Sequence, residues 1–370
     1  MAVHTVRSPR RLSGFTPAAL GILAVWGLAS TSALGQTLTN LGVLSGNHQW
    51  SQAVAVSGNG QHVAGNSGLG LFNQMRGFRW SQGSGLTDMG IVPGVNYVAL
   101  GISNDGSVIT GDYQPVGGAS TAFRWTSGSG FQLLSSLPGG DGSTATGISS
   151  DAQFIAGSSY SGPGSRAVRW NGVGTPQDLG VLPGALNSTA NAISGNGTTV
   201  VGDSDFAPFV WTQAGGMQPL PTTGGTAFAV NFDGSVVAGA DGSSAARWNN
   251  GVLQVLPNLP GTSFAEAYAV SGSGLLTGGL SADDDFNFSA TIWSDALGAV
   301  NLNTYLPTFG IDLTGWNLEV CSAISFDGNT LVGQGTFNGE TRGWHATIPT
   351  PGAAAVLGIG GLIAAGRRRR

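Results

Sequence analysis

The sequence predicts an all-β repeat fold, a seven-bladed β-propeller, on three observations. A set of four short strand-like segments recurs seven times between Leu38 and Ile348. The turns after the first segment of each set, at Gly60, Gly106, Ala152, Gly197, Gly234, Gly274 and Gly328, stand 46, 46, 45, 37, 40 and 54 residues apart. That spacing is close to the length of one four-stranded blade, about 45 residues. The third observation lies at the seams. The last set stops at its third segment, Gly343 to Ile348, while the repeat region opens with an orphan fourth segment, Leu38 to Leu44. Seven sets offset by one strand close when the N-terminal strand pairs with the final set, which removes the edge an open array would expose. A β-solenoid, the alternative architecture, needs no such offset.

Composition agrees with many strands and tight turns. Glycine is 63 of 370 residues and charged residues only 9%, against averages of about 7% and about 25%. A hydrophobic share of 41% with ten Trp departs from the low-hydrophobicity, high-charge profile of a disordered chain. There is no Lys, and between Gln36 and Ile348 seven Arg face 19 acids, a net of −12. An acidic body with scattered Arg argues against a phosphate-tracking surface, so nucleic acid is discounted as a partner. Cys321 is the only cysteine, which excludes an intramolecular disulfide, and its apolar strand position reads as a small core residue.

The first segments run Ala53 to Ser57 (AVAVS), Ala99 to Ser103 (ALGIS), Ala145 to Ser149 (ATGIS), Ala190 to Ser194 (ANAIS), Ala227 to Asn231 (AFAVN), Ala267 to Ser271 (AYAVS) and Cys321 to Ser325 (CSAIS). Each is followed by a turn such as Asn104-Asp105-Gly106 or Phe326-Asp327-Gly328, where Gly, Asn or Asp accepts the backbone of a tight hairpin. The recurring Asp therefore reads as a turn residue and not as a metal ligand. Second segments end in Gly, as at Gly65, Gly202 and Gly333. Third segments end in Trp, at Trp80, Trp125, Trp170, Trp211, Trp248 and Trp293, with a displaced copy at Trp344. A large apolar body at the same place in six sets reads as packing between units; a carbohydrate-stacking platform is the functional alternative. The longest interval holds an insertion, Asn301 to Trp316. With the acidic loop Asp283 to Asp285, it is the candidate binding surface, since loops on a rigid scaffold vary freely. Ca²⁺ at the Asp triplet would suit oxygen ligands, but adjacent acids on an extended chain point apart, and a solvated loop is the plainer reading.

This pattern resembles the extracellular HAF-repeat family, whose consensus runs like "GIN-DG-VVG", then "HAF-W", then "DLG-LGG". The resemblance spans Leu38 to about Ile348. The His of that family is absent here, with Arg76, Thr121 and Arg166 holding its place, so the resemblance implies a secreted repeat protein and carries no His chemistry.

The two ends read as addresses. Residues 1–35 have the parts of a secretory signal peptide: Arg7, Arg10 and Arg11, an apolar run from Ala18 to Leu28, and small residues at Ala33 and Gly35. Residues 349–370 comprise Pro349-Thr350-Pro351, an apolar run of 14 residues and four terminal Arg. This tail resembles the PEP-CTERM sorting signal, with Thr350 in place of that family's Glu. The resemblance implies recognition by an exosortase-type enzyme and contact with the inner membrane before processing. An apolar run that short falls under the roughly 20 residues that span a bilayer, and an ordinary C-terminal anchor is the alternative.

Between the ends, residues 36–348 offer no catalytic constellation. His48, His62 and His345 lie in no metal-binding spacing, and neither a G-x-S-x-G elbow nor a phosphate loop occurs. Glu266, Glu319 and Glu340 are the only glutamates. No catalytic, cofactor-binding or metal residue is assigned and no cofactor is expected. The expectation is an exported cell-surface or extracellular-matrix protein with a non-enzymatic binding or structural role, partnered by extracellular polysaccharide or surface proteins. The alternative is a secreted glycan-active hydrolase or lyase using Asp residues in the propeller channel.

Overall fold

Each repeat builds its first hairpin with one side chain. In the computed structural model, which describes residues 36–70, 73–161 and 164–348, the hydroxyl that ends the first strand bonds both arms of the turn. Ser103 Oγ donates to Asp105 Oδ1 at 2.6 Å and accepts from the Val108 amide at 3.0 Å. Ser57, Ser149, Ser194 and Ser325 do the same with Asn59, Asp151, Asn196 and Asp327, at 2.5 to 2.8 Å. Asn231 and Ser271 accept the equivalent amides of Val236 and Leu276. The recurring Asp is thus held by its own turn, as the sequence indicates. Residues 1–35 and 349–370, which carry the expected export signal and sorting tail, lie outside the described residues.

The inner strands are Trp50–Val56, Val95–Ile102, Gly140–Ile148, Thr189–Ile193, Gly225–Val230, Phe264–Val270 and Trp316–Ile324. Each starts an antiparallel set of four strands. Five sets form separate four-stranded sheets. The first two sets share one sheet of eight, joined by a single parallel bridge between Arg76 and Tyr97. The last set contributes three strands and takes its fourth from the N-terminal side, where Thr37–Asn40 pairs antiparallel with Glu340–Thr347, Leu38 opposite Ala346. The orphan strand is therefore paired as expected, and the antiparallel sheets are not the parallel coils of a β-solenoid.

The second strands do not end at glycine. They continue past Gly65, Gly111, Gly157, Gly202, Gly239, Gly279 and Gly333, which sit mid-strand opposite a β-bulge in the inner strand. All seven inner strands carry that bulge, leaving Val54, Leu100, Thr146, Asn191, Phe228, Tyr268 and Ser322 without a cross-strand partner. Close approach explains the glycine. A Cβ on Gly157 would lie 1.9 Å from the Thr144 carbonyl oxygen, and one on Gly333 would lie 1.8 Å from that of Val320. The glycine that sequence composition reads as a strand end is a steric necessity of the bulge.

Adjacent sets are joined through tryptophan. All seven Trp of the third strands are buried, which removes them as an exposed stacking platform. Four of their indole N–H groups reach back to the segment after the preceding fourth strand: Trp125 to Met89 O at 2.7 Å, Trp170 to Ser135 O at 2.9 Å, Trp248 to Pro221 O at 2.7 Å and Trp293 to Pro257 O at 2.8 Å. Leucines of that segment complete the joint, as Leu134 and Leu137 do against Trp170. At the N-terminal seam Leu41 and Leu44 play this part, buried with Phe78 and Trp80 on one side and Val332 on the other. Trp344 sits two residues out of register, opposite Gly333, and Ala346 faces Leu331.

The insertion is anchored in the core by its apolar side chains. Asn301 caps a short helix, Leu302–Tyr305, by accepting from the Asn303 amide. Leu302, Leu306 and Ile311 are buried in the apolar cluster of the last set with Cys321, Leu331 and Trp344. A 3₁₀ turn, Leu306–Phe309, follows and ends on Gly310. The insertion's apolar side chains thus fill the space under the longest connection.

Candidate functional site

The seven inner strands converge on one cavity of about 260 Å³, bounded by every set. Its lining follows from the bulges. A bulge re-aims one side chain out of strand alternation, and each bulged residue lines this cavity together with the two residues after it. The following residues are nearly constant, small and then aliphatic: Ala55 and Val56, Gly101 and Ile102, Gly147 and Ile148, and so on to Ala323 and Ile324. The bulged residues differ in every set. Val54 and Leu100 are aliphatic, Thr146 and Asn191 polar, Phe228 and Tyr268 aromatic, and Ser322 small.

Several of these side chains are already engaged. Thr146 Oγ1 donates to Ala190 O at 2.7 Å, and Asn191 Nδ2 donates to Ala227 O at 3.0 Å, each reaching the next set. The Phe228 and Tyr268 rings lie 5.1 Å apart, and the Tyr268 hydroxyl donates to the Glu266 carboxylate on its own strand. Burial pushes the Tyr268 hydroxyl above its ordinary range, and the carboxylate bond adds to this. Tyr268 is a fixed donor there and not a base.

Past the aliphatic ring of Val56, Ile102, Ile148, Ile193, Val230, Val270 and Ile324 lies a second hollow of about 160 Å³ at the hairpin end of the strands. Its rim is the residue after each turn-building side chain: Gly58, Asn104, Ser150, Gly195, Phe232, Gly272 and Phe326. Backbone hydrogen bonds join these turns in sequence. They run from Gly58 N to Asn104 O at 2.9 Å, Asn104 N to Ser150 O at 3.3 Å, Ser150 N to Gly195 O at 2.9 Å and Asn196 N to Phe232 O at 3.0 Å. They continue from Phe232 N to Gly272 O at 3.3 Å, Gly272 N to Phe326 O at 3.1 Å and Phe326 N back to Gly58 O at 3.0 Å. The rim's backbone is thereby satisfied and fixed, which leaves its side chains to make any contact with a ligand.

Those side chains form two unlike walls. Phe232 and Phe326 meet edge to face, with centroids 5.3 Å apart at 86°, and remain 39% and 46% exposed. Between them stands Gly272, where a Cβ would lie 2.2 Å from the Phe326 ring; at Gly195 one would lie 2.3 Å from Phe232. Asn104 and Ser150 make up the opposite wall, and neither side chain has a hydrogen-bond partner among the described residues.

The residues singled out in the sequence lie elsewhere. Asp283 is satisfied by its own loop, accepting from the Asp285 and Asn287 amides at 3.0 and 2.9 Å and from the Asn287 side chain, while Asp284 accepts from Ser263. These hydrogen bonds hold the Asp283 carboxyl below its usual range. His48 contacts Ser67 at 3.1 Å, Glu319 accepts from Thr336 at 2.5 Å, and Glu340 pairs with Arg342. His345 lies at the seam with its Nε2 2.9 Å from Gly60 O. Burial of Cys321 raises its thiol above the ordinary value. Among the described residues no Asp or Glu lines either hollow directly; the Glu266 carboxylate is reached from the larger one through the Tyr268 hydroxyl. Among the described residues, no group of three or more His, Cys, Asp or Glu could hold a metal ion.

No protein-family model matches the sequence, and no curated protein matches it. Solved structures do match in fold. An oligogalacturonate lyase from Vibrio parahaemolyticus aligns over 84% of this chain and 93% of its own, with a TM-score of 0.55 and 10% identity. An oligogalacturonate lyase solved in complex with manganese aligns over the same shares, at 0.54 and 12%. A prolyl endopeptidase aligns over 82% of this chain and 50% of its own, at 0.52 and 10%. At such identities the likeness shows the fold alone, a β-propeller scaffold.

Proposed function

We propose that this chain is an exported protein of HAF-repeat type whose seven four-stranded sets close into a seven-bladed β-propeller. It acts as a non-enzymatic binding or structural module at the cell surface or in the extracellular matrix. The C-terminal tail, of PEP-CTERM kind, delivers it through an exosortase-type enzyme. The observation that carries the binding reading is the lining of the two axial hollows. Aliphatic, aromatic, amide and hydroxyl side chains line them, with no carboxylate, imidazole or thiol among the lining residues. The carboxylates and imidazoles that most often do general acid–base work are not among them, and the Thr146 and Tyr268 hydroxyls that do line them are held in hydrogen bonds. The cyclic run of backbone bonds through all seven turns, together with the N-terminal strand in the last sheet, supports the closed seven-bladed arrangement.

The test has two arms. Fractionation of producing cells, with mass spectrometry of the protein's C-terminus, is expected to find it at the cell surface or outside, cleaved near Pro349. Recovery from the cytoplasm with both termini intact would refute the address. Incubation with a polysaccharide panel is expected to give saturable binding without new reducing ends or unsaturated products. Turnover would refute the non-enzymatic reading.

A further inference from the structure

We infer that the rim at the hairpin end of the channel is a binding subsite for one uncharged sugar ring of an extracellular glycan, with Phe232 and Phe326 as the stacking wall and Asn104 and Ser150 as the hydroxyl-reading wall. The inference rests on the surface-binding reading above and names its ligand class and site.

The rim position shows why. Three of its seven residues are glycine and two are small and polar, as a tight turn favours. Phenylalanine at the other two has no turn rationale. Both rings remain substantially exposed, at 39% and 46%, where burying them would have been the stabilising arrangement. Space for them is provided by glycine in a neighbouring repeat, Gly195 for Phe232 and Gly272 for Phe326, each of which could not carry a Cβ without striking the ring. Two separate ring-and-glycine pairs thus place aromatic surface at the same edge of one hollow. An edge-to-face pair offers a ring face and a ring edge to the C–H face of a sugar. Across the hollow, an amide and a hydroxyl with unused donors and acceptors supply the hydrogen bonds that a sugar's hydroxyls require. A hollow of about 160 Å³ admits a single ring and not a folded chain.

Charge selects among sugars. Every rim residue other than glycine is followed directly by an aspartate: Asp105, Asp151, Asp233 and Asp327. All four are exposed. Two arginines approach the turns as well, Arg79 at 2.8 Å from Gly106 O and Arg169 at 3.3 Å from Gly197 O, which leaves the carboxylates in excess. Uronic acids and phosphorylated sugars would meet like charge there, so the subsite favours neutral rings.

The experiment uses the purified full-length protein and saturation-transfer NMR with titration calorimetry. The probes are neutral gluco-, manno- and galacto-oligosaccharides, with oligogalacturonate as the anionic comparator. Binding to at least one neutral series is expected, with oligogalacturonate at least about tenfold weaker. Phe232→Ala and Phe326→Ala should each weaken neutral binding about tenfold or more, as aromatic anchors do. Asn104→Ala should weaken it less, and Phe206→Ala, on a hairpin tip at the opposite strand ends, should leave it unchanged. Gly272→Ala keeps both aromatics yet displaces one, and should reproduce the Phe326→Ala loss. Neutral binding that ignores all the rim variants would overturn the subsite while leaving the surface-binding reading intact. Oligogalacturonate binding as tight as neutral binding, or no binding across the panel, would also overturn the subsite. The broader reading is judged separately by fractionation.

Discussion

The N-terminal seam is where closure can be tested most directly, by comparing Leu41→Ala with Leu134→Ala. Both leucines are buried, at 5% and 1% exposure, and both seat after a fourth strand on the next set's tryptophan, Trp80 for Leu41 and Trp170 for Leu134. Truncating a buried leucine costs about 3 to 5 kcal/mol through lost transfer energy and the cavity left behind. The direct cost is therefore similar at the two sites. The consequences differ, because Leu134 sits in continuous chain while Leu41 anchors a terminal strand paired over Thr37 to Asn40 against Trp344 to Thr347, with one further backbone bond from Leu41 to Gly343. Losing about 3 kcal/mol there takes most of what retains that strand, frees the edge of Glu340–Thr347 and opens the array. Denaturant melts should show a comparable loss for both variants. Limited proteolysis and hydrogen exchange should then separate them, with Leu41→Ala exposing residues 37–44 and 340–347 below the global transition and Leu134→Ala remaining uniformly protected. Identical local protection in the two variants would refute the idea that the N-terminal strand latches a closed ring.

Three further predictions follow from single contacts. Gly157→Ala puts a Cβ 1.9 Å from the Thr144 carbonyl at a backbone conformation that alanine tolerates. A loss of about 3 kcal/mol by urea melt, at the upper end for overpacking, is expected, against at most about 1 kcal/mol for Gly83→Ala in open space. Phe206 holds a left-handed φ of 68° at a hairpin tip with 83% exposure. Phe206→Gly relieves that strain and should raise stability by about 1 kcal/mol, an outcome that an unchanged or lower melting temperature would contradict. Burial holds the His345 imidazole below its ordinary 6.5, with its Nδ1 lacking a partner; His48 and His62 shift the same way, by burial and then by Arg76 and Arg79. The folded state therefore binds fewer protons than the unfolded one, so this contribution is present above 6.5 and is lost as pH falls below it. Denaturation at pH 7.5 and 5.5 should show lower stability at 5.5, with a smaller difference in His345→Gln.

Much of the architecture is legible in the sequence because its signals are local. The Ser-x-Asp-Gly turns form through bonds within six residues, and the missing fourth strand of the last repeat forecasts the pairing of Thr37–Asn40 with Glu340–Thr347. The tryptophans read correctly as packing residues because a large apolar body at a fixed place in six of the seven units finds an equivalent neighbour each time, Trp344 being two residues displaced. Three things escaped. The mid-strand glycines looked like strand ends, since glycine's dislike of strands is visible in sequence and a bulge in the partner strand is not. The insertion Asn301 to Trp316 reads as a surface loop, and its inward anchoring by Leu302, Leu306 and Ile311 was not visible in its composition. Phe232 and Phe326 lay inside segments read as turns, 94 residues apart, and only the packing of the fifth, sixth and seventh sets brings them to 5.3 Å. One signal was available: phenylalanine at a position otherwise held by Gly, Asn or Ser.

The scaffold and the site divide the repeat between them. Residues that the backbone constrains are nearly uniform across the seven sets: the turn-building Ser, the glycine under each bulge and the aliphatic residue that rings the channel. Variation concentrates at two places, the bulged residue and the rim residue, and both face the axis. A purely structural array would gain nothing from such asymmetry, because identical side chains there would pack equally well around a pseudo-sevenfold axis. An array that holds an asymmetric ligand on its axis needs unlike walls, as the pairing of Phe232 and Phe326 against Asn104 and Ser150 provides. Removing the aromatic wall by replacing both phenylalanines with serine should therefore leave stability within about 1 kcal/mol, since each ring is substantially exposed, while removing binding at the rim. A variant that lost folding and binding together would place those rings in the scaffold instead.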